Sequence, residues 1–122
     1  MSRHTPEGKF KQSVVDELNT WILQGKPVWY YLTHDDQGGI PDVVGVCEGR
    51  FFGLELKSST KALSTQALTL IKIGAAGGIG VVVDDKDTKV CITVPLEGTS
   101  YFLPKKTWLY VLLLHAYPSP KE

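Results

Sequence analysis

Apolar residues first recur at spacings of three and four, at Phe10, Val14, Leu18, Trp21 and Ile22. That spacing makes one stripe on a helix. Thr5-Pro6-Glu7 precedes it and reads as a helix start: a capping hydroxyl, a proline at the first helical position, an acid in the first turn. Gln24-Gly25, with Pro27 beyond, should end it. The pattern then changes. Val28 to Thr33 (VWYYLT) is aromatic and β-branched, as in a strand. His34 to Gly39 (HDDQGG) is a polar, glycine-rich loop in which Asp and Gly serve as turn residues. Asp42 opens a second strand through Cys47, Glu48-Gly49-Arg50 makes a hairpin turn, and Phe51 to Ser58 (FFGLELKS) forms a third strand.

A second helical pattern runs through Leu63, Ala67, Leu70, Ile71 and Gly74. Ser64 is placed as its cap, and Leu63 with Leu68 as a hydrophobic staple. It stops in Gly74-Ala75-Ala76-Gly77-Gly78. A dinucleotide-binding glycine loop leads from strand into helix, whereas these glycines lead from helix into strand, so they read as a C-cap. Val81 to Val83, a turn at Asp84-Asp85-Lys86-Asp87, and Val90 to Val94 predict a strand, a solvated hairpin and a strand. Pro104 can start a last helix. Its run from Trp108 to Leu114 is apolar on most sides, which suggests burial or an oligomer contact. The tail from Pro118 reads as frayed.

These elements amount to a single α/β domain over residues 1–122. Its 43% hydrophobic and 21% charged residues are ordinary for a globular chain. Cys47 and Cys91 sit inside apolar runs and read as small buried hydrophobes, with no metal spacing and no disulfide framework. The first residues, MSRHTPEGK, lack the apolar core of a signal peptide. The run from Trp108 to Ala116 falls short of the roughly 20 residues that span a bilayer. The expectation is a cytoplasmic protein without a membrane partner. The net charge of +0 argues against strong non-specific duplex binding, which rests on phosphate neutralisation.

Candidate chemistry enters at Gly39-Ile40-Pro41-Asp42 and Leu54-Glu55-Leu56-Lys57. Side chains alternate along a strand, so Glu55 and Lys57 share a face while Leu54 and Leu56 take the other. With Asp42 on the neighbouring strand, two carboxylates and an ammonium meet in a small space. An oxygen-liganded cation such as Mg²⁺ needs only one or two carboxylates and keeps several waters. Asp42 and Glu55 are that pair, and the Leu56 backbone carbonyl can add a third oxygen. Lys57 can orient an attacking water or oppose charge developing on a phosphoryl oxygen. Glu-X-Lys by itself is more often a solvated surface pair. The ordered combination is more specific: Pro-Asp opening a strand, a hairpin-length gap, Glu-X-Lys between apolar residues, then a capped helix.

These pieces resemble the PD-(D/E)XK nuclease superfamily. More narrowly, they are similar to its virus-type replication-repair nuclease (VRR-NUC) family in a compact phage-type form. The matching segments are Thr5-Pro6-Glu7-Gly8-Lys9, Gly39-Ile40-Pro41-Asp42, Gly49-Arg50-Phe51-Phe52, Glu55-Leu56-Lys57, Ser64 with Gln66, and Ala76-Gly77-Gly78 leading into Val81-Val82-Val83-Asp84-Asp85. They span roughly residues 5 to 85.

The resemblance implies a restriction-endonuclease-like core, a mixed central β-sheet flanked by helices in α-β-β-β-α-β order. It implies Asp42 and Glu55 as ligands of Mg²⁺ or Mn²⁺ and Lys57 as the catalytic lysine. It suggests Gln66 near phosphate or water at the site. It also suggests Glu7 as a further acidic group, although a favourable place at a helix N-terminus accounts for Glu7 equally well. The implied activity is a metal-dependent DNA endonuclease, such as a Holliday-junction resolvase acting as a homodimer, in a bacterial host cytoplasm if phage-encoded. Two alternatives stay open: a nicking or restriction-type nuclease on duplex or single strands, and a catalytically silent DNA-binding module.

Overall fold

The computed structural model describes residues 6–33, 39–57 and 65–114, without the side chains of residues 6, 7, 65 and 66. The elements run α1 (Pro6–Leu23), β1 (Val28–Leu32), β2 (Val43–Cys47), β3 (Arg50–Lys57), α2 (Thr65–Ala75), β4 (Ile79–Asp85), β5 (Lys89–Val94), β6 (Thr99–Pro104) and α3 (Trp108–Leu113). The six strands form one sheet in sequence order. Every neighbouring pair is antiparallel except β3 and β4, which are parallel and joined through α2. This is a mixed α/β sheet with flanking helices, the architecture expected of a restriction-endonuclease-like core.

The helix ends follow from glycine. Gly25 takes a φ of +86°, its N–H donating to Ile22 O (3.0 Å) and the Lys26 N–H to Trp21 O (3.0 Å). Gly77, at φ +98°, closes α2 the same way: its N–H donates to Gly74 O (3.0 Å) and the Gly78 N–H to Ile73 O (2.9 Å). Both are Schellman caps. The glycine cluster is therefore a helix stop, as its order along the chain indicates.

Strand parity separates two faces. On one, Phe52, Leu54 and Leu56 of β3 join Val43 and Cys47 of β2 and Ile79, Val81 and Val83 of β4 in the main core. Phe10, Val14, Leu18 and Trp21 of α1 and Trp108, Leu109, Leu112 and Leu113 of α3 cover them. The Phe10 and Trp108 rings lie 5.7 Å apart and tie the two helices together. On the other face α2 sits over β3 and β4, where glycines make room. A Cβ on Gly80 would run into the Leu70 backbone, and one on Gly53 would come 2.7 Å from Ile73 Cδ1.

Several expectations change. Ile22 is 41% exposed and leaves the α1 stripe. Among the described side chains of α2 Leu70 is the buried one, and Ile73 rather than Ile71 packs on Gly53. Leu68 is exposed, while the proposed cap Ser64 and staple partner Leu63 lie outside the described residues. So do the 34–38 loop and the tail from Pro118. Asp84 and Asp85 belong to β4 rather than to the turn. Asp85 accepts from the Asp87 N–H (3.0 Å) and from Lys105 Nζ (2.8 Å), so it anchors the hairpin instead of lying free in solvent.

The edge strand β6 was not among the expected elements, and Pro104 ends it instead of starting a helix. An edge position tolerates that proline. The chain's own core takes Trp108, Leu109, Leu112 and Leu113. The apolar character of α3 is thus satisfied within the chain and no longer motivates an oligomer contact. Cys47 is buried as expected, and Cys91 is half-buried.

Candidate active site

The hairpin between β2 and β3 sets the register of the site. Glu48 (φ +52°) and Gly49 (φ +82°) form its two-residue turn, and positive φ at both positions is the type I′ geometry suited to the twist of the strands. Cys47 then pairs with Arg50 and Val43 with Leu54. One step beyond that last pair, Asp42 stands opposite Glu55.

There the β2–β3 ladder stops, and the Asp42 side chain takes over. Its Oδ2 accepts the Leu56 N–H at 2.9 Å. The bond satisfies a backbone donor that β2 no longer reaches and fixes the carboxylate against the strand bearing Glu55 and Lys57. In an antiparallel pair a residue's N–H and C=O point to the same neighbour. By that pattern the Leu56 carbonyl faces the same side as its N–H, the Asp42 side.

Glu55 is 6% exposed, and its Oε1 is shut off from solvent. It lies on the α2 face of the sheet, as does the half-buried Lys57. Holding an ionised carboxylate in such a place favours a balancing positive charge close by. Asp42 is thus joined to Leu56 by a hydrogen bond, with Glu55 and Lys57 on either side of Leu56 along β3.

Glu7 and Gln66 stand differently. Glu7 is in the first turn of α1, which packs on the opposite face of the sheet from Glu55. Gln66 is in the first turn of α2, which packs on the same face as Glu55. Both side chains lie outside the described residues.

Two further residues near the site carry no mark in the sequence. Thr33 donates its hydroxyl to Pro41 O (2.8 Å) and its N–H to Asp42 O (3.0 Å). Thr69 of α2 donates its hydroxyl to Gly39 O. The two threonines pin the segment from Gly39 to Asp42 to β1 on one side and to α2 on the other. Nothing in the local sequence marks either one, because their partners are backbone carbonyls 8 and 30 residues away. Asp84 lies beside Lys57 in the β3–β4 register and is held by Lys86 at 3.3 Å.

Among the described residues, no three His, Cys, Asp or Glu side chains cluster as a metal site. The candidate donors Asp42, Glu55 and the Leu56 carbonyl offer only oxygen. That suits a hard divalent cation that retains water better than it suits zinc, whose sites draw mainly on His and Cys. An oxygen that accepts one N–H keeps a second lone pair, so the anchored Asp42 carboxylate can still coordinate.

No family model and no curated protein sequence matches this chain. Solved structures do. The chain is similar to Hjc, a Holliday junction resolvase from the archaeal hyperthermophile Archaeoglobus fulgidus, at a TM-score of 0.52. The two are 12% identical, and the match covers 88% of this chain and 95% of that one. A likeness at this identity speaks for the shared fold.

Proposed function

We propose that this chain is a divalent-metal-dependent DNA endonuclease of the PD-(D/E)XK type, acting on branched DNA such as a Holliday junction. The bond from the Leu56 N–H to Asp42 Oδ2 carries the reading, because it fixes one carboxylate where the next strand presents Glu55 and Lys57. The fold shared with a Holliday junction resolvase supports the same reading, as do the ordered motifs of the VRR-NUC type.

Asp42, Glu55 and the Leu56 carbonyl would hold Mg²⁺ or Mn²⁺, which when bound supplies charge stabilisation and activates a water for attack on phosphorus. Thr33 and Thr69 keep Asp42 in place, and such positioning matters because small misplacements of a catalytic group are costly. Lys57 sets its ammonium on the same face, where it opposes the charge building on the phosphoryl oxygens. Gln66, one turn before Thr69, would contact phosphate or water, and Glu7 would supply a further acid. Paired cuts across a four-way junction need two such centres, so the reading includes a two-fold dimer.

The test is a panel of four-way junction, flap, nicked and linear DNA with Mg²⁺, with Mn²⁺ and with EDTA. The expected result is metal-dependent cutting with preference for the junction and paired incisions. Cutting that persists in EDTA sinks the mechanism. Equal cutting of linear duplex replaces junction selectivity with a restriction-type activity.

A further inference from the structure

The face that carries Glu55 and Lys57 continues onto β1 and β2, where α2 does not reach. Cross-strand register sets Trp29, Val46 and Phe51 in one row and Tyr31, Val44 and Gly53 in the next. The row after that holds Thr33, Asp42 and Glu55. Parity aims Trp29, Tyr31, Val46 and Phe51 away from the main core, and the exposures agree: 60%, 44%, 36% and 42%. Successive rows are two residues, or about 6.6 Å, apart. That is about twice the 3.4 Å rise of a nucleotide in a stacked strand, so an extended strand can set one base on each row. Ile73, seated over Gly53, walls the platform on the α2 side. The Arg50 guanidinium, donating to Gly77 O at 3.4 Å, stands at its rim.

The geometry points to a stacking platform for unpaired bases that leads a single-stranded DNA segment into the candidate active site; this rests on the nuclease reading above. Two observations select the occupant. The middle row adjoins the Asp42–Glu55 row, so a protein seated on the platform would obstruct the centre that the substrate must reach. The chain's net charge is +0, so phosphate attraction is a weak source of affinity. Stacking on exposed aromatic rings supplies affinity without it, and without regard to sequence, because every base has a flat face. The preferred substrates are then branched DNAs with an unpaired arm or bases that open at the crossover.

The chain carries its own probe. Of its three tryptophans, Trp21 and Trp108 are each 4% exposed, whereas Trp29 is 60% exposed on the platform. The experiment titrates the full chain in EDTA with a 12-nucleotide oligothymidylate and with an abasic strand of the same length. The readouts are tryptophan emission and the anisotropy of a labelled strand. The expected result is saturable quenching by oligothymidylate, with at least tenfold weaker binding of the abasic strand. Tyr31→Ala with Phe51→Ala should weaken oligothymidylate binding about tenfold and leave the far-ultraviolet circular dichroism unchanged.

Equal affinity for the two strands, or no quenching by either, overturns the platform. A shift of Trp29 emission with protein concentration alone, accompanied by a doubling of mass in light scattering, also overturns it by assigning the surface to a second copy. Because EDTA removes turnover from the assay, base-dependent binding by a chain that cuts nothing would retain the platform and reject the nuclease.

Discussion

Asp42 serves through shape as well as charge. Asn at this position keeps an oxygen to accept the Leu56 N–H but removes the negative charge. Asp42→Asn should therefore lower metal-dependent cleavage at least about 100-fold, the scale of losing a key electrostatic group, with stability changed by less than about 1 kcal/mol. Single-turnover cleavage and chemical denaturation check the two halves. Glu17 gives a prediction away from the site. Burial pushes its carboxyl above 4.5, partly offset by a hydrogen bond with Trp21. The folded state thus favours the neutral form, and the associated stability is fully present at low pH and lost as pH rises through the folded pKa. Glu17→Gln stays neutral, so its Tm should gain on that of the parent as pH rises from 4 to 7. Melting curves across that range check the sign. The candidate residues Asp42, Glu55 and Lys57 stood out in the sequence because Pro-Asp opening a strand, a hairpin-length gap and Glu-X-Lys between apolar residues follow in one ordered run. Thr33 and Thr69 did not, since a hydroxyl bound to a distant carbonyl leaves no local pattern.

Among the elements, the β2–β3 hairpin decides the register that sets Asp42 opposite Glu55. Its turn places Glu48 at a φ of +52°, which a side chain resists and glycine or asparagine accepts. Glu48→Gly should stabilise the fold by about 0.5–1 kcal/mol without altering cleavage, as read by urea denaturation beside an activity assay. Helix α2 is seated by glycine, and Gly80→Ala would drive a Cβ into the Leu70 backbone. The expected loss is about 1–3 kcal/mol from overpacking, with cleavage falling as well because Thr69 on the same helix holds Gly39. The first seven elements could be read from periodicity and turn chemistry. The last strand could not: β6 is a half-exposed edge whose polar start and terminal proline mimic a loop. Asp84 and Asp85 were assigned to a turn because acids usually favour turns, but pairing with β5 and ion pairs to Lys86 and Lys105 hold them in strand β4.

At the scale of the molecule, the two faces of the sheet divide the work. One is sealed by α1 and α3 and supplies the main core. The other is covered by α2 over two glycines and presents the charged centre with the aromatic rows leading to it. Trp108→Ala would open the sealed face where α3 meets Phe10. It should cost about 3–5 kcal/mol, read as a lowered Tm.

If Asp42 and Glu55 hold a divalent cation together, calorimetric titration of the purified chain with Mn²⁺ will register it. Binding should be present in the parent and in Lys57→Ala, and lost in both Asp42→Asn and Glu55→Gln while each stays folded by circular dichroism. Undiminished Mn²⁺ binding by Asp42→Asn and Glu55→Gln, or none by the parent, would mean that these two carboxylates hold no cation.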